Sequence, residues 1–319
     1  MAMQIPQGLG LYWRSLTSIQ IGLYPERRAI FDGIYHREEG LFNLLRSPCT
    51  REDVDQWART HRIDDDRAAK IWNSVQGSGL VLEKSLPMGM SAAEYRAASR
   101  AGTLDPVAAS RTAVEIHGLG LVGVLLALNL NLYGLASIHV TDPSPVTESQ
   151  ARWLGSESFG KPCDTAVRPR LRPARQEDPA TTIIVAVSSR TYPRHIARKA
   201  LAEDVPFLPI VIAEADIQIG PFVTGSPCIE CVESARSKED EAWPHLTDQA
   251  ARFQRLEADT ASAFQAVSWV VGEIMHLINH PELEPRLHSS ILHIPPPPGW
   301  PYLEPVEPFP RCGCDRLDL

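Results

Sequence analysis

Four of the six cysteines in this 319-residue chain stand in two close pairs, Cys228-Ile-Glu-Cys231 and Cys312-Gly-Cys314. Two thiolates at each of two short spacings suit one tetrahedral metal ion, zinc above all, gripped from two chain segments. A closed four-cysteine site leaves no open position for water, so the metal expected here is structural rather than catalytic. Upstream, His117-Gly118-Leu119-Gly120-Leu121-Val122-Gly123 directly follows an apolar run. Glycines so spaced let the backbone turn tightly and approach a phosphate at a helix N-terminus. Asp142, roughly 20 residues on, stands where a ribose hydroxyl is held in such units. Alone, the loop fits ATP-, NAD- or FAD-binding proteins equally.

The elements that must position these residues are readable in outline. Ala113–Ile116 reads as a buried strand, followed by an apolar helix to Leu132 and a second strand, Ala136–Val140. Thr182–Val187 and Ile219–Val223 read as further strands, and Thr260–Ile278 as a helix whose Trp269 points to core or to an interface between two copies. Before them, Tyr12–Leu16, Ile19–Leu23 and Arg28–Ile34 read as three short strands punctuated by Gly22, Pro25 and Gly33. Helices over Glu38–Leu45, Arg51–Thr60 and Asp66–Gln76 follow, with Thr50 and Asp53 spaced as a capping box. Strands followed by three helices make a winged-helix-like domain over residues 1–84. Residues 85–110 then read as a linker holding a short helix, Ala92–Ala101, and residues 111–319 as an α/β domain. Residues 295–310, rich in proline and glutamate, read as an extended arm returning Cys312 to Cys228.

Composition narrows the class. Apolar residues make up 44% and charged residues 22%, ordinary for a globular protein. The net charge of −8 is spread along the chain and favours neither nucleic acid nor an anionic membrane as partner. Residues 1–84 hold eleven lysines and arginines against eleven aspartates and glutamates, and Asp64-Asp65-Asp66 opens the helix that would read DNA. No signal peptide and no spanning apolar stretch is expected. Paired rather than scattered cysteines suit a reducing cytoplasm. Cys49 and Cys163 read as apolar residues, and His276, His280, His288 and His293 are too irregularly spaced for a second metal.

The glycine loop followed by the cysteine clamp resembles the ThiF/MoeB superfamily, the ubiquitin-activating-enzyme-like adenylyltransferases. That family continues its second strand as Asp-x-Asp-x-Val-x-x-Ser-Asn-Leu-x-Arg-Gln, then Gly-Lys-x-Lys. Here the stretch reads Asp142-Pro-Ser144-Pro-Val146-Thr-Glu-Ser149-Gln150-Ala-Arg152, then Gly160-Lys161-Pro-Cys163. Ser144 replaces the second aspartate, Cys163 a phosphate-gripping lysine, and Ser188-Ser189 the metal-binding aspartate. ATP chemistry needs cations against the triphosphate. The resemblance therefore implies a retained scaffold with an eroded nucleotide site at Gly118, Gly120, Gly123, Asp142, Arg152 and Lys161, and ATP is not expected there.

The first 84 residues resemble PqqD and the precursor-recognition domains of ribosomal-peptide biosynthesis, through the Ile19–Leu23 and Arg28–Ile34 runs and the helix ending Trp72…Gly77-Ser-Gly-Leu80. The resemblance implies that a leader peptide adds to the third strand and lies against the third helix. The lining would be Arg28, Ile30, Phe31 and Asp32 with Arg67, Lys70, Ile71 and Ser74. The whole chain, with Ile219-Gly-Pro-Phe-Val223 and Asp240-Glu-Ala-Trp243-Pro244, resembles the ocin-ThiF-like partner proteins of thiazole/oxazole-modified peptide clusters. These expectations make the chain a non-catalytic adaptor, as monomer or homodimer, that presents a precursor peptide to a YcaO-type cyclodehydratase. The alternative is an active ThiF-like enzyme adenylating a peptide carboxylate, with Arg152 or Lys161 replacing the missing cations. An NAD-linked oxidoreductase keeps only the glycine loop in its favour.

Overall fold

The computed structural model describes residues 2–82, 90–101, 105–174, 178–310 and 312–314, in two compact units, Met1–Pro106 and Val107–Leu319. In the first, β1 (Leu11–Ser15), β2 (Ser18–Ile21) and β3 (Ala29–Asp32) form an antiparallel sheet in that order, which leaves β3 an edge strand. The pleat sends alternate side chains to opposite faces, so Phe31 enters the core while Ile30 and Asp32 stay exposed. Gly22 closes β2 with φ +79°, where an added Cβ would meet the Arg27 carbonyl at 2.0 Å.

Three helices follow: α1 (Glu39–Leu44), α2 (Arg51–Thr60) and α3 (Asp65–Gln76). The expected capping box opens α2, with the Thr50 N–H donating to the Asp53 carboxylate at 2.7 Å and the Asp53 N–H to the Thr50 hydroxyl at 3.3 Å. Asp64 caps α3 by accepting from the Asp66 and Arg67 N–H groups. The aspartate run is thus a helix start, with carboxylates at the positive end of the dipole. Leu41, Phe42, Val54, Ala58, Ile71 and Val75 close over Ile19, Ile21 and Phe31 as one core.

One ion pair ties the start of α1 to α3. Arg67 donates through Nε and Nη2 to the two carboxylate oxygens of Glu38, 2.8 Å each, and also to the Gly33 carbonyl. Glu38 is fully buried. Burial pushes its carboxyl up, but hydrogen bonds from Arg67 and the Tyr35 N–H outweigh that and hold it below the usual range. The unit continues into α4 (Ala92–Ala101), whose Ser99 and Arg100 carbonyls accept from Arg27. The expected linker thus contains a helix tied to the β2–β3 loop, while its residues 85–89 and 102–104, with residues 83 and 84 before it, lie outside the described residues.

The boundary between the units falls at the start of α5 (Pro106–Ala109). The second unit runs β4 (Thr112–His117), α6 (Leu121–Leu130), β5 (Ser137–Thr141), α7 (Glu148–Leu154), α8 (Cys163–Val167), β6 (Thr181–Ser189), α9 (Arg194–Ala202) and β7 (Phe207–Ile212). Then come β8 (Ile217–Ile219), α10 (Ile229–Glu239), α11 (Trp243–Ala250), α12 (Thr260–Asn279), β9 (Ser290–Ile294) and β10 (Tyr302–Pro305). The sheet order is β10-β9-β8-β7-β6-β4-β5, with β5, β4, β6 and β7 parallel and the rest antiparallel. Every residue of β7 is buried, as a sheet covered on both faces requires.

The expected strand Ile219–Val223 is corrected. β8 ends at Ile219, because Gly220 takes φ +101° and Pro221 has no N–H; Val223 only bridges Phe207. The proline-rich arm likewise contains β10, paired to β9. By length and composition α12 could cross a membrane, but half of its apolar window is buried, and the helix packs on α6, β8 and β9 as a core helix does. Trp269 is 44% exposed and so is not core.

The Arg67–Glu38 pair generates a test of fold rather than ligand binding. Arg67→Ala should cost about 2 kcal/mol, less than a fully buried pair because the Arg67 side chain is 31% exposed, while Lys70→Ala should be near neutral. Denaturant unfolding followed by tryptophan fluorescence checks both. The pair's contribution is complete above the unfolded carboxyl's pKa of about 4.3 and fades as pH falls through the lower folded value of Glu38.

Candidate functional site

Strand order reverses around β4, and a crevice opens beyond the carboxyl ends of β4, β5 and β6. It is a cavity of about 850 Å³ lined by His117, Gly118 and Gly120 after β4, Asp142 and Ser144 after β5, and Ser188 and Ser189 ending β6. The glycines have separate reasons. At Gly118, φ is +86° and an added Cβ would strike the Val187 carbonyl at 2.1 Å. At Gly123 it would strike the Gly118 carbonyl at 2.2 Å, so this glycine lets α6 start close against the loop. Gly120 has open space beside it, where a ligand's backbone contact would form.

Asp142 is a buried carboxylate of the crevice, at 2% exposure. It accepts from the Leu119 N–H at 2.7 Å, the Ser144 N–H at 3.0 Å and the Arg255 guanidinium at 3.0 and 3.3 Å. Burial pushes its carboxyl up, but these donors outweigh burial and hold it below the usual range. Gln150, where the resembled family has asparagine, is buried and donates its amide to the Leu119 carbonyl, so it braces the glycine loop. The Ser188 hydroxyl donates to the Thr191 carbonyl and the Ser189 hydroxyl accepts from the Leu256 N–H. Both serve the backbone and supply no carboxylate for a metal.

The expected substitute cations are elsewhere. Arg152 pairs with Glu148 at 3.2 Å, both well exposed, and Lys161 is exposed outside the cavity lining. Cys163 is buried, and burial with Asp142 pushes its thiol up to about 11, which disfavours the thiolate. The cations that do line the cavity are Arg194 and Arg255. Arg194 is bidentate on Glu230, at 2.6 and 3.2 Å. Neither was legible in sequence, since each pairs across a long stretch of chain.

In the first unit a smaller pocket of about 290 Å³ lies between β3 and α3 and brings together Ile30, Phe31, Asp32, Arg67, Lys70, Ile71 and Ser74. Arg28 precedes β3 and does not line it. Phe31 and Ile71 form its buried floor, Asp32 accepts from the Ser18 hydroxyl at 2.6 Å, and Ser74 donates to the Lys70 carbonyl. Arg67 is held by Glu38. Ile30 and Lys70 are the exposed side chains left to meet a ligand along this edge.

The four clamp cysteines converge, with all Sγ atoms within 4.8 Å of one another. Neighbouring separations are 4.0 Å for Cys228–Cys231, 3.6 Å for Cys228–Cys312 and 3.5 Å for Cys231–Cys314. A tetrahedron with Zn–S near 2.3 Å spaces its sulfurs about 3.8 Å apart, so the set fits one zinc ion. Cys228 caps α10, where the helix dipole favours thiolate, whereas burial pushes the Cys228 thiol far up and Cys312 to about 11. Four ionised sulfurs at this spacing require a cation between them.

The fold is similar to that of the E. coli microcin C7 biosynthetic enzyme MccB. Against MccB in complex with N-formylated MccA, the TM-score is 0.60 at 12% identity, covering 99% of this chain and 100% of that one. Against E. coli MccB with ATP it is 0.61 at 12% identity, with 99% and 100% covered. Against the heterocyclase TruD it is 0.64 at 14% identity, covering 99% of this chain and 43% of TruD's. These likenesses establish a Rossmann-like, MccB-type α/β fold. No family model and no curated protein sequence matches the chain.

If one metal staples both segments, Cys312→Ser should lower zinc content and melting temperature together, the latter by roughly 10 °C. Elemental analysis beside a thermal melt of the full chain checks both; a zinc-free, equally stable wild type would contradict the assignment.

Proposed function

We propose that this chain is a non-catalytic adaptor of ribosomal-peptide modification. On this reading residues 1–84 are a PqqD-like winged-helix unit that captures the leader of a precursor peptide. Residues 85–110 link it to a degenerate ThiF-like domain over 111–319. A separate YcaO-type cyclodehydratase then forms azolines from Cys, Ser or Thr of the core, using its own ATP. The paired free thiols suit action in the cytoplasm.

The observation that carries the reading is a contrast between the two units. In the first, a free strand edge borders a groove with an apolar floor, the exposed Ile30 and the cation Lys70. An extended leader peptide would add main-chain hydrogen bonds to β3, and its alternate side chains would enter the groove. In the second, the nucleotide-type crevice keeps its glycines, but its carboxylate is saturated and its arginines are paired internally. The fold neighbours add support, one solved with the peptide MccA and the other described as a heterocyclase. A homodimer and a structural zinc belong to the same reading.

The second reading, an adenylating enzyme acting on a peptide carboxylate, has one observation in its favour: the open flank of Gly120 in a fold that in MccB was solved with ATP. ATP–pyrophosphate exchange with the precursor peptide separates the two, and sustained exchange selects the enzyme.

For the adaptor, Lys70→Glu in the full chain should weaken binding of an acidic leader about tenfold, ~1.4 kcal/mol, without lowering stability. Fluorescence anisotropy with a labelled leader reads the affinity. An unchanged Kd would move the peptide site off α3.

A further inference from the structure

Residues 251 and 253–257, between α11 and α12, line the crevice of the second unit and are fastened to three of its walls. From the end of β5, Asp142 holds Arg255. From the end of β6, the Ser189 hydroxyl accepts from the Leu256 N–H at 3.0 Å, and Arg190 donates to the Gln254 carbonyl at 2.7 Å. The Arg190 guanidinium also lies 5.6 Å over the Phe253 ring. At the start of α7, the Ser149 hydroxyl donates to Glu257 at 3.0 Å. Arg190 itself takes φ +63°, a left-handed conformation uncommon for a side chain of this size, held where these contacts converge.

The donor count at Asp142 decides what this fastening does. An ionised carboxylate offers about four lone-pair sites. Oδ2 receives the Leu119 N–H and Arg255, while Oδ1 receives the Ser144 N–H and Arg255. All four are used, and the group is buried. A ribose placed against the glycine loop would need this carboxylate as acceptor for its hydroxyls, and finds it occupied. The two backbone donors belong to the loop and the β5 turn, so the displaceable donor is Arg255, whose side chain is 64% exposed.

We propose that Arg255 is the residue that excludes nucleosides from this cavity, residues 251–257 forming a strap that occupies the ribose acceptor from within the chain. The proposal deepens the adaptor reading and rests on its view of the crevice as closed to nucleotide, but it does not involve the peptide groove. Each contact of the strap is weak alone, because the strap's own groups are largely solvated. The strap is therefore a latch that one substitution loosens, not a part of the core.

The test uses the full chain and adenosine, which presents ribose hydroxyls without the phosphate charge that would itself attract arginine. Wild type, Arg255→Ala and Arg255→Lys are titrated by NMR saturation transfer, and hydrogen exchange is followed at residues 251–257. Arg255→Ala should bind adenosine at least tenfold more tightly than wild type, with faster exchange confined to the strap. Arg255→Lys, which keeps the charge on a more flexible stem, should fall between. Equal adenosine affinity in wild type and Arg255→Ala, absent binding to both included, overturns the proposal, as does an unchanged strap exchange. Leader affinity measured on the same samples judges the adaptor reading separately.

Discussion

A carboxylate buried to 2% exposure has to find its donors inside the protein, and Asp142 finds them on three different elements. Its bond to the Leu119 N–H fixes the glycine loop against β5, and its bond to Ser144 sets the turn that leads to α7. Gln150, from α7, then closes the circuit by holding the Leu119 carbonyl. The floor of the crevice is therefore built around one ionised group whose removal would free a loop, a turn and a helix start together. The same group in a nucleotide-binding protein faces outward to a ligand; here the third donor comes from the chain itself.

The first unit repeats this logic with opposite consequence. Glu38 is as buried as Asp142, and Arg67 satisfies it from α3 across 29 residues. That pair fixes α3 against the start of α1, and with the Gly33 carbonyl it holds the Arg67 guanidinium inside the unit. Adjacent turns of one helix differ in what they face: Arg67 meets the buried carboxylate, and Lys70 meets water.

Much of this was readable in sequence. The strands of the first unit, the Thr50–Asp53 capping box and α3 follow from period-two and period-3.6 patterns and from local cap chemistry, all short-range in the chain. The cysteine pairs converge because metal-ligand spacing is itself a local signature. What escaped was long-range. Arg255 reaches Asp142 across 113 residues from a loop with no periodicity, and Arg194 reaches Glu230 across 36. Arg152, placed near the site by the resembled motif, turns outward because α7 presents it to its own Glu148, and Lys161 lies exposed outside the cavity lining. The break after Ile219 was visible as Gly220-Pro221 and needed only the missing N–H of proline to be weighed.

On the adaptor reading the peptide is held by this chain and ring formation is performed by another. Reconstitution tests it most directly: precursor peptide, ATP and a YcaO-type cyclodehydratase are incubated with and without this protein, and the peptide is followed by mass spectrometry. The account predicts loss of water from the core peptide only when all the components are present, with ATP consumption that requires the cyclodehydratase. AMP and pyrophosphate formed by this chain and the peptide alone would contradict it.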